Sequence, residues 1–177
     1  MRHAGAALLL FAAATCAAAA ELKAGSTAPP FTTQASLGGT VFTFDLSAAL
    51  AKGPVVLYFY PAAFTEGCTI EAHDFAQHVG DYQKLGAQVI GVSGDDIATL
   101  NKFSVSECRG KFAVASDATL AISKDYDAVL PFDGKQYSNR TSYVIAPSGK
   151  IVYSYSDLDP AKHVANTLTA LRKLQGK

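Results

Sequence analysis

The residues able to do chemistry are few, and Cys68 has the most informative position among them. It follows Val55-Val-Leu-Tyr-Phe-Tyr60, whose β-branched and aromatic side chains predict a strand covered on both faces. It precedes Ile70, Phe75, Val79, Tyr82 and Leu85, whose spacing predicts an amphipathic helix ended by Gly86. A thiol at such a junction lies near the positive end of the helix dipole and near N–H groups without intrahelical partners, and both favour the thiolate. Such a cysteine is a nucleophile or a redox group, and the carboxyl end of a strand in an α/β sheet is where sites gather.

Other constellations carry less. Cys68-Thr-Ile-Glu71 holds no second cysteine, so the C-x-x-C of a thiol–disulfide oxidoreductase is missing. His73 and His78 flank Asp74, but their i, i+5 spacing turns the imidazoles to different sides of a helix. No metal is expected, and His73 reads as a helix-surface residue. A copper carrier needs two close cysteines with a distal histidine; His163 is available but the cysteine pair is not. Gly86, Gly91 and Gly94 are spaced wrongly for a dinucleotide fingerprint, so no cofactor is expected.

The elements that must position Cys68 alternate along the chain. Val41–Asp45 reads as a half-buried strand, and 46–52 as a short helix with Ser47 as its cap. After the helix that carries Cys68, Ala87–Ser93 is a second buried strand, and Asp95-Asp96 opens a helix through Ile97, Leu100 and Phe103. Phe112–Ser116 is a short strand. Thr141–Ala146 and Ile151–Tyr155 form a hairpin about Pro147-Ser-Gly149, and Asp159-Pro160 starts a closing helix with Val164, Leu168, Leu171 and Leu174 on one face. This order predicts a single α/β domain over 21–177, with a mixed sheet flanked by helices.

Composition agrees with a globular domain. The 177 residues are 49% hydrophobic and 17% charged, and fifteen basic residues balance fifteen acidic ones. A zero net charge leaves no electrostatic footprint for nucleic acid or an anionic membrane. Residues 1–20 combine Arg2, an apolar stretch from Ala4 to Phe11 and an Ala-rich end, the pattern of a secretory signal cut before Glu21. The apolar stretch is short for a membrane anchor. Export, with the periplasm as destination, leaves Cys68 and Cys108 as the two cysteines of the mature chain, too few for a disulfide-built scaffold.

Pro61-x-x-x-Thr65-x-x-Cys68 matches the active-site motif of the peroxiredoxins, and the surrounding Phe-Tyr-Pro…Phe-Thr-x-Gly-Cys-Thr-x-Glu-Ala resembles the bacterioferritin-comigratory-protein/PrxQ branch. Val89–Ser93 and Arg140–Ile145 are also similar to family segments, so the resemblance spans the mature chain. It implies a thioredoxin-like fold and thiol-dependent reduction of hydrogen peroxide and small organic hydroperoxides, with a thioredoxin-like or other dithiol reductant and a monomer or weak dimer. Carried over, Cys68 is the peroxidatic cysteine that becomes a sulfenic acid. Thr65 orients peroxide and thiolate, Pro61 walls the pocket, and Arg140 places a permanent positive charge beside Cys68. Taken singly, Pro61 could just end a strand, Thr65 cap a helix and Arg140 sit on the surface.

Many members of the branch carry a resolving cysteine five residues after the peroxidatic one, where this chain has His73. Others place it in the next helix, which makes Cys108 the candidate, with Arg109 and Lys111 expected to lower its thiol pKa. Its alternatives are a buried core thiol in a one-cysteine enzyme served by external thiols or, on the same fold, an exported thiol–disulfide oxidoreductase.

Overall fold

A computed structural model describes residues 21–176; the proposed signal segment lies outside them. The strands are β1 (Thr32–Leu37), β2 (Thr40–Asp45), β3 (Val55–Phe59), β4 (Gln88–Ser93), β5 (Ala113–Ser116), β6 (Val129–Phe132), β7 (Lys135–Ser138), β8 (Thr141–Ile145) and β9 (Ile151–Ser156). The helices are α1 (Leu46–Leu50), α2 (Glu66–Lys84), α3 (Ile97–Ser106), α4 (Ala121–Asp125) and α5 (His163–Leu174). Seven strands form one sheet in the order β2-β1-β5-β4-β3-β8-β9, while β6 and β7 make a separate hairpin. The β3–β4 and β4–β5 pairs are parallel and the others in the large sheet antiparallel, which is the mixed α/β sheet expected.

The central strand β3 is buried along its whole length, and its alternation divides the molecule into two cores. Val56, Tyr58 and Tyr60 face a cluster with Cys68, Phe75, Val79, Leu100, Phe103 and Cys108. Val55, Leu57 and Phe59 face the other, with Leu46, Ile90, Tyr126 and Tyr143. Gly91 in β4 is a consequence of this packing, because a Cβ there would lie 2.7 Å from the ring of Tyr58.

Several local expectations change. Asp45, not Ser47, caps α1, its Oδ1 accepting from the Ala48 N–H at 2.7 Å. Asp96 caps α3 through the Thr99 N–H at 2.7 Å, which frees Asp95 for another task. Asp159-Pro160 first opens a 3-10 turn, and α5 begins only at His163. The sequence patterns showed no sign of β1, α4 or the β6–β7 hairpin: each is only four to six residues long, too short for a clear period, and β1 is ordered by pairing with β2 and β5.

Candidate active site

The site is built where β3 hands over to α2. Tyr60 still pairs with β4 through its N–H to the Val92 carbonyl at 3.0 Å; Pro61 has no N–H to continue the ladder, and the chain turns away. The turn is strained and held from outside. Phe64 has a φ of 64°, a left-handed conformation unfavourable for a bulky side chain. The Ala63 N–H donates to Asp95 Oδ2 at 2.7 Å, and the Ser93 hydroxyl donates to the same oxygen at 2.7 Å. Phe103 of α3 stacks on Tyr60 and meets Phe64 edge-on, with ring centroids 5.7 and 5.2 Å away.

Thr65 is the N-cap residue of α2, yet its side chain makes no capping bond; the hydroxyl donates instead to the Ala62 carbonyl at 2.9 Å. The first helical bond runs from the Thr69 N–H to the Thr65 carbonyl, so the N–H groups of Glu66, Gly67 and Cys68 have no intrahelical partner. Cys68, 1% exposed, lies in that first turn, where free N–H groups and the helix dipole favour negative charge.

A guanidinium faces the sulfur. Arg140, 4% exposed, precedes β8 and brings Nη2 to 3.4 Å from Cys68 Sγ. Its other nitrogens are committed: Nη1 donates to Glu71 Oε2, and Nε donates to the Leu158 carbonyl at 2.9 Å. A planar group held on three sides cannot turn away from the thiol. Gly67 makes room for it, since a Cβ at that position would come within 3.1 Å of Nη2.

A buried thiol with unpaired helix N–H groups and a clamped arginine is suited to attack an electrophile and to stabilise charge on its leaving group. A sequence model of the AhpC/TSA family matches residues 24–154. The chain belongs to that family. It is 37% identical to a chloroplastic peroxiredoxin Q of Triticum aestivum over 164 residues, covering 92% of this chain and 73% of that protein. Among solved structures it is similar to peroxidoxin BcpB from Mycobacterium tuberculosis, with 30% identity, a TM-score of 0.78, and 86% of this chain and 98% of that one covered. It is also similar to Xanthomonas campestris peroxiredoxin Q, with 30% identity, a TM-score of 0.69, and 81% and 91% covered. The fold is thus the thioredoxin-like fold of the peroxiredoxins, and the chain is an enzyme, a thiol-dependent peroxidase.

Within this peroxiredoxin the structure joins Cys68 to Arg140 directly. Thr65 is exposed one turn before Cys68, and half-buried Pro61 stands at the start of the loop. Cys108 follows α3 in a turn in which Arg109 and Gly110 have φ of 51° and 63°. Both sulfurs are reduced and buried in the same apolar cluster. Burial, and then the Glu107 carboxylate, push the Cys108 thiol well above its ordinary range. This corrects the expectation that Arg109 and Lys111 lower it: both are exposed, where solvent screens their charge.

His73 is no simple surface residue either. It is half-buried, and its Nε2 lies 2.9 Å from Glu107 Oε2, linking α2 to the residue before Cys108. Sequence reasoning also missed Asp95, Glu71 and the place of His163, buried 3.7 Å from the Glu71 carboxylate. Glu71 had a readable signal, a carboxylate in the buried stripe Cys68, Glu71, Ala72, Phe75, Val79, where an unpaired charge is strongly disfavoured.

Proposed function

We propose that Cys68 reduces hydrogen peroxide and small organic hydroperoxides. Its thiolate attacks one peroxide oxygen; the S–O bond forms as the O–O bond breaks, and the departing oxide takes up a proton to leave as water or alcohol, with a sulfenic acid left on Cys68. The observation that carries this reading is the Arg140 Nη2 to Cys68 Sγ contact of 3.4 Å at the first turn of α2. Arg140 and the free helix N–H groups stabilise the charge that develops on the leaving oxygen. The Thr65 hydroxyl, whose O–H donates to the Ala62 carbonyl, offers its oxygen as acceptor to the peroxide O–H. Pro61 closes the loop side of the pocket.

Cys108 then attacks the sulfenic acid, releasing water and forming a disulfide that a thioredoxin-like or other dithiol reductant reopens. Local opening of one or both helix ends brings the two sulfurs within the reach of a disulfide. The burial of Cys108 and its raised thiol pKa favour a second reading, a one-cysteine cycle with an external thiol. Intact mass and non-reducing peptide mapping after one equivalent of hydrogen peroxide separate the two. Loss of two hydrogens with a Cys68–Cys108 crosslink supports the first, and one added oxygen on Cys68 alone supports the second. Peroxide consumption by Cys68→Ser equal to that of the unsubstituted protein would overturn both.

Residues 1–20 serve, in this reading, as an export signal to the periplasm, and the mature chain works as a monomer or weak dimer. Mature protein recovered from the periplasm with Glu21 at its start, and its sedimentation coefficient, test these two points.

A further inference from the structure

Behind Arg140 lies a layer of groups that the steps above do not use. Glu71 of α2 and His163 at the start of α5 are both fully buried. Glu71 Oε1 lies 3.7 Å from His163 Nδ1 and has no hydrogen-bond partner. The neighbours of the imidazole assign its protons. His163 Nε2 is 2.9 Å from the Asp157 carbonyl, which can only accept, so Nε2 carries a hydrogen. In the neutral ring Nδ1 then accepts from the Ser142 hydroxyl at 2.8 Å. That bond takes the one lone pair of Nδ1, and at 3.7 Å the imidazole makes no hydrogen bond to Glu71 Oε1; an ionised Glu71 would therefore keep an uncompensated oxygen in a fully buried place, a cost that a proton on the carboxyl lessens.

Charge counting leads to the same proton. Among the described residues Arg140 is the one permanent cation in contact with the site, and both Glu71 and Cys68 lie against it. If both are anionic, one guanidinium serves two buried negative charges, an imbalance that burial penalises heavily.

We propose that Glu71 keeps a buried proton on its carboxyl in the reduced protein, beside a neutral His163, and that this proton leaves the charge of Arg140 to the Cys68 thiolate. Glu71 is then a positioning residue acting through Arg140. The electrostatics agree: burial raises Glu71 to about 8 against the pull of Arg140, and burial lowers His163 to about 4. The groups facing Glu71 are Arg140 before β8, His163 of α5, Tyr58 of β3, and Cys68, Asp74 and Tyr82 of its own helix. Those facing His163 besides Glu71 are Arg140, Asp157, Asp159 and the Tyr155 ring. The role assigned to the proton rests on the peroxidase reading; its presence does not.

The test uses the full reduced chain labelled with ¹³C at the glutamate carboxyls, which are four: Glu21, Glu66, Glu71 and Glu107. One signal is expected to keep the protonated shift until the pH reaches about 8 and to vanish in Glu71→Gln. Four signals titrating together in the ordinary carboxylate range overturn the proposal. The role is read from alkylation of Cys68 by iodoacetamide against pH, followed by peptide mapping, a reaction that needs no peroxide and stays informative if peroxidase activity is absent. In the unsubstituted protein the rate constant should fall by roughly threefold or more as Glu71 ionises and competes for Arg140. In Glu71→Gln, neutral at every pH, the fall should be gone; a purely structural role would scale the rate equally at all pH values. An identical fall in Glu71→Gln overturns the role. Should that variant not fold, the carboxyl titration and the alkylation fall of the unsubstituted protein must share one midpoint, and a separation beyond about one pH unit overturns it.

Discussion

The two cysteines of the described chain are equally buried and share one core, yet their surroundings are opposite. Around Cys68 the apolar core is joined by directed groups: an uncapped helix start, an arginine bound on three sides, and a loop fastened to Asp95. Around Cys108 the contacts are apolar, and its thiol is pushed up by burial. Depth alone therefore does not set the reactivity of a thiol; the charges and free N–H groups that accompany it do.

The sharpest way to break the contrast is to remove the guanidinium. Arg140→Met should lower kcat/KM for hydrogen peroxide by about 10²–10³-fold, the usual loss for a transition-state donor, while leaving the slow alkylation of Cys108 unchanged. Next in size is Asp95→Ala, which leaves the Ala63 N–H and Ser93 hydroxyl without their acceptor. An unpartnered buried donor costs about 1–3 kcal/mol, and relaxation of the strained Phe64 turn should reduce kcat/KM by about tenfold in steady-state assays.

The polar side of the core should also make stability depend on pH near neutrality. Glu71 is raised from 4.5 to about 8 on folding, so between these values the folded protein holds a proton that the unfolded chain has released, and stability falls as pH rises. His163 is lowered from 6.5 to about 4, so between these values it acts in the opposite sense, its contribution being lost as pH falls. The two oppose each other at mildly acidic pH, and only the Glu71 slope remains from 6.5 to about 8. Urea unfolding across that window should show a decline on the order of 1–2 kcal/mol, flattened in Glu71→Gln.

The smallest effect concerns the link between the two regions. His73→Ala removes the pair with Glu107, which is partly solvated and worth up to about 1 kcal/mol. Opening of the Cys108 turn becomes easier, and formation of the Cys68–Cys108 disulfide after a peroxide pulse should quicken by roughly two- to fivefold. A slower disulfide in rapid-quench mass analysis would contradict this coupling.

Much of the site was legible because it is local. The apolar run of β3, the stop at Pro61, the helical period after Gly67 and the thiol between them lie within thirty residues, and each follows from backbone and side-chain rules that act over a few positions. Asp95 was misread as part of a helix start because two adjacent aspartates offer the same cap, and only packing shows which one turns towards the loop. The strand β1 was missed because its residues are half polar and its order comes from pairing with β2 and β5.

By itself the sequence determined the candidate nucleophile, the helix that carries it and the class of sheet, since periodicity and the strand-to-helix junction are properties of neighbouring residues. The tertiary structure decided what stands against the sulfur. Phe59 pairs with Thr141 in the β3–β8 register, which brings Arg140, seventy-two positions from Cys68, to the end of the strand that leads into α2. It also decided that His163 lies beside Glu71 and that Cys108 is buried with Arg109 and Lys111 turned outward. These are contacts between distant segments, created by strand register and helix packing, and no local pattern encodes them.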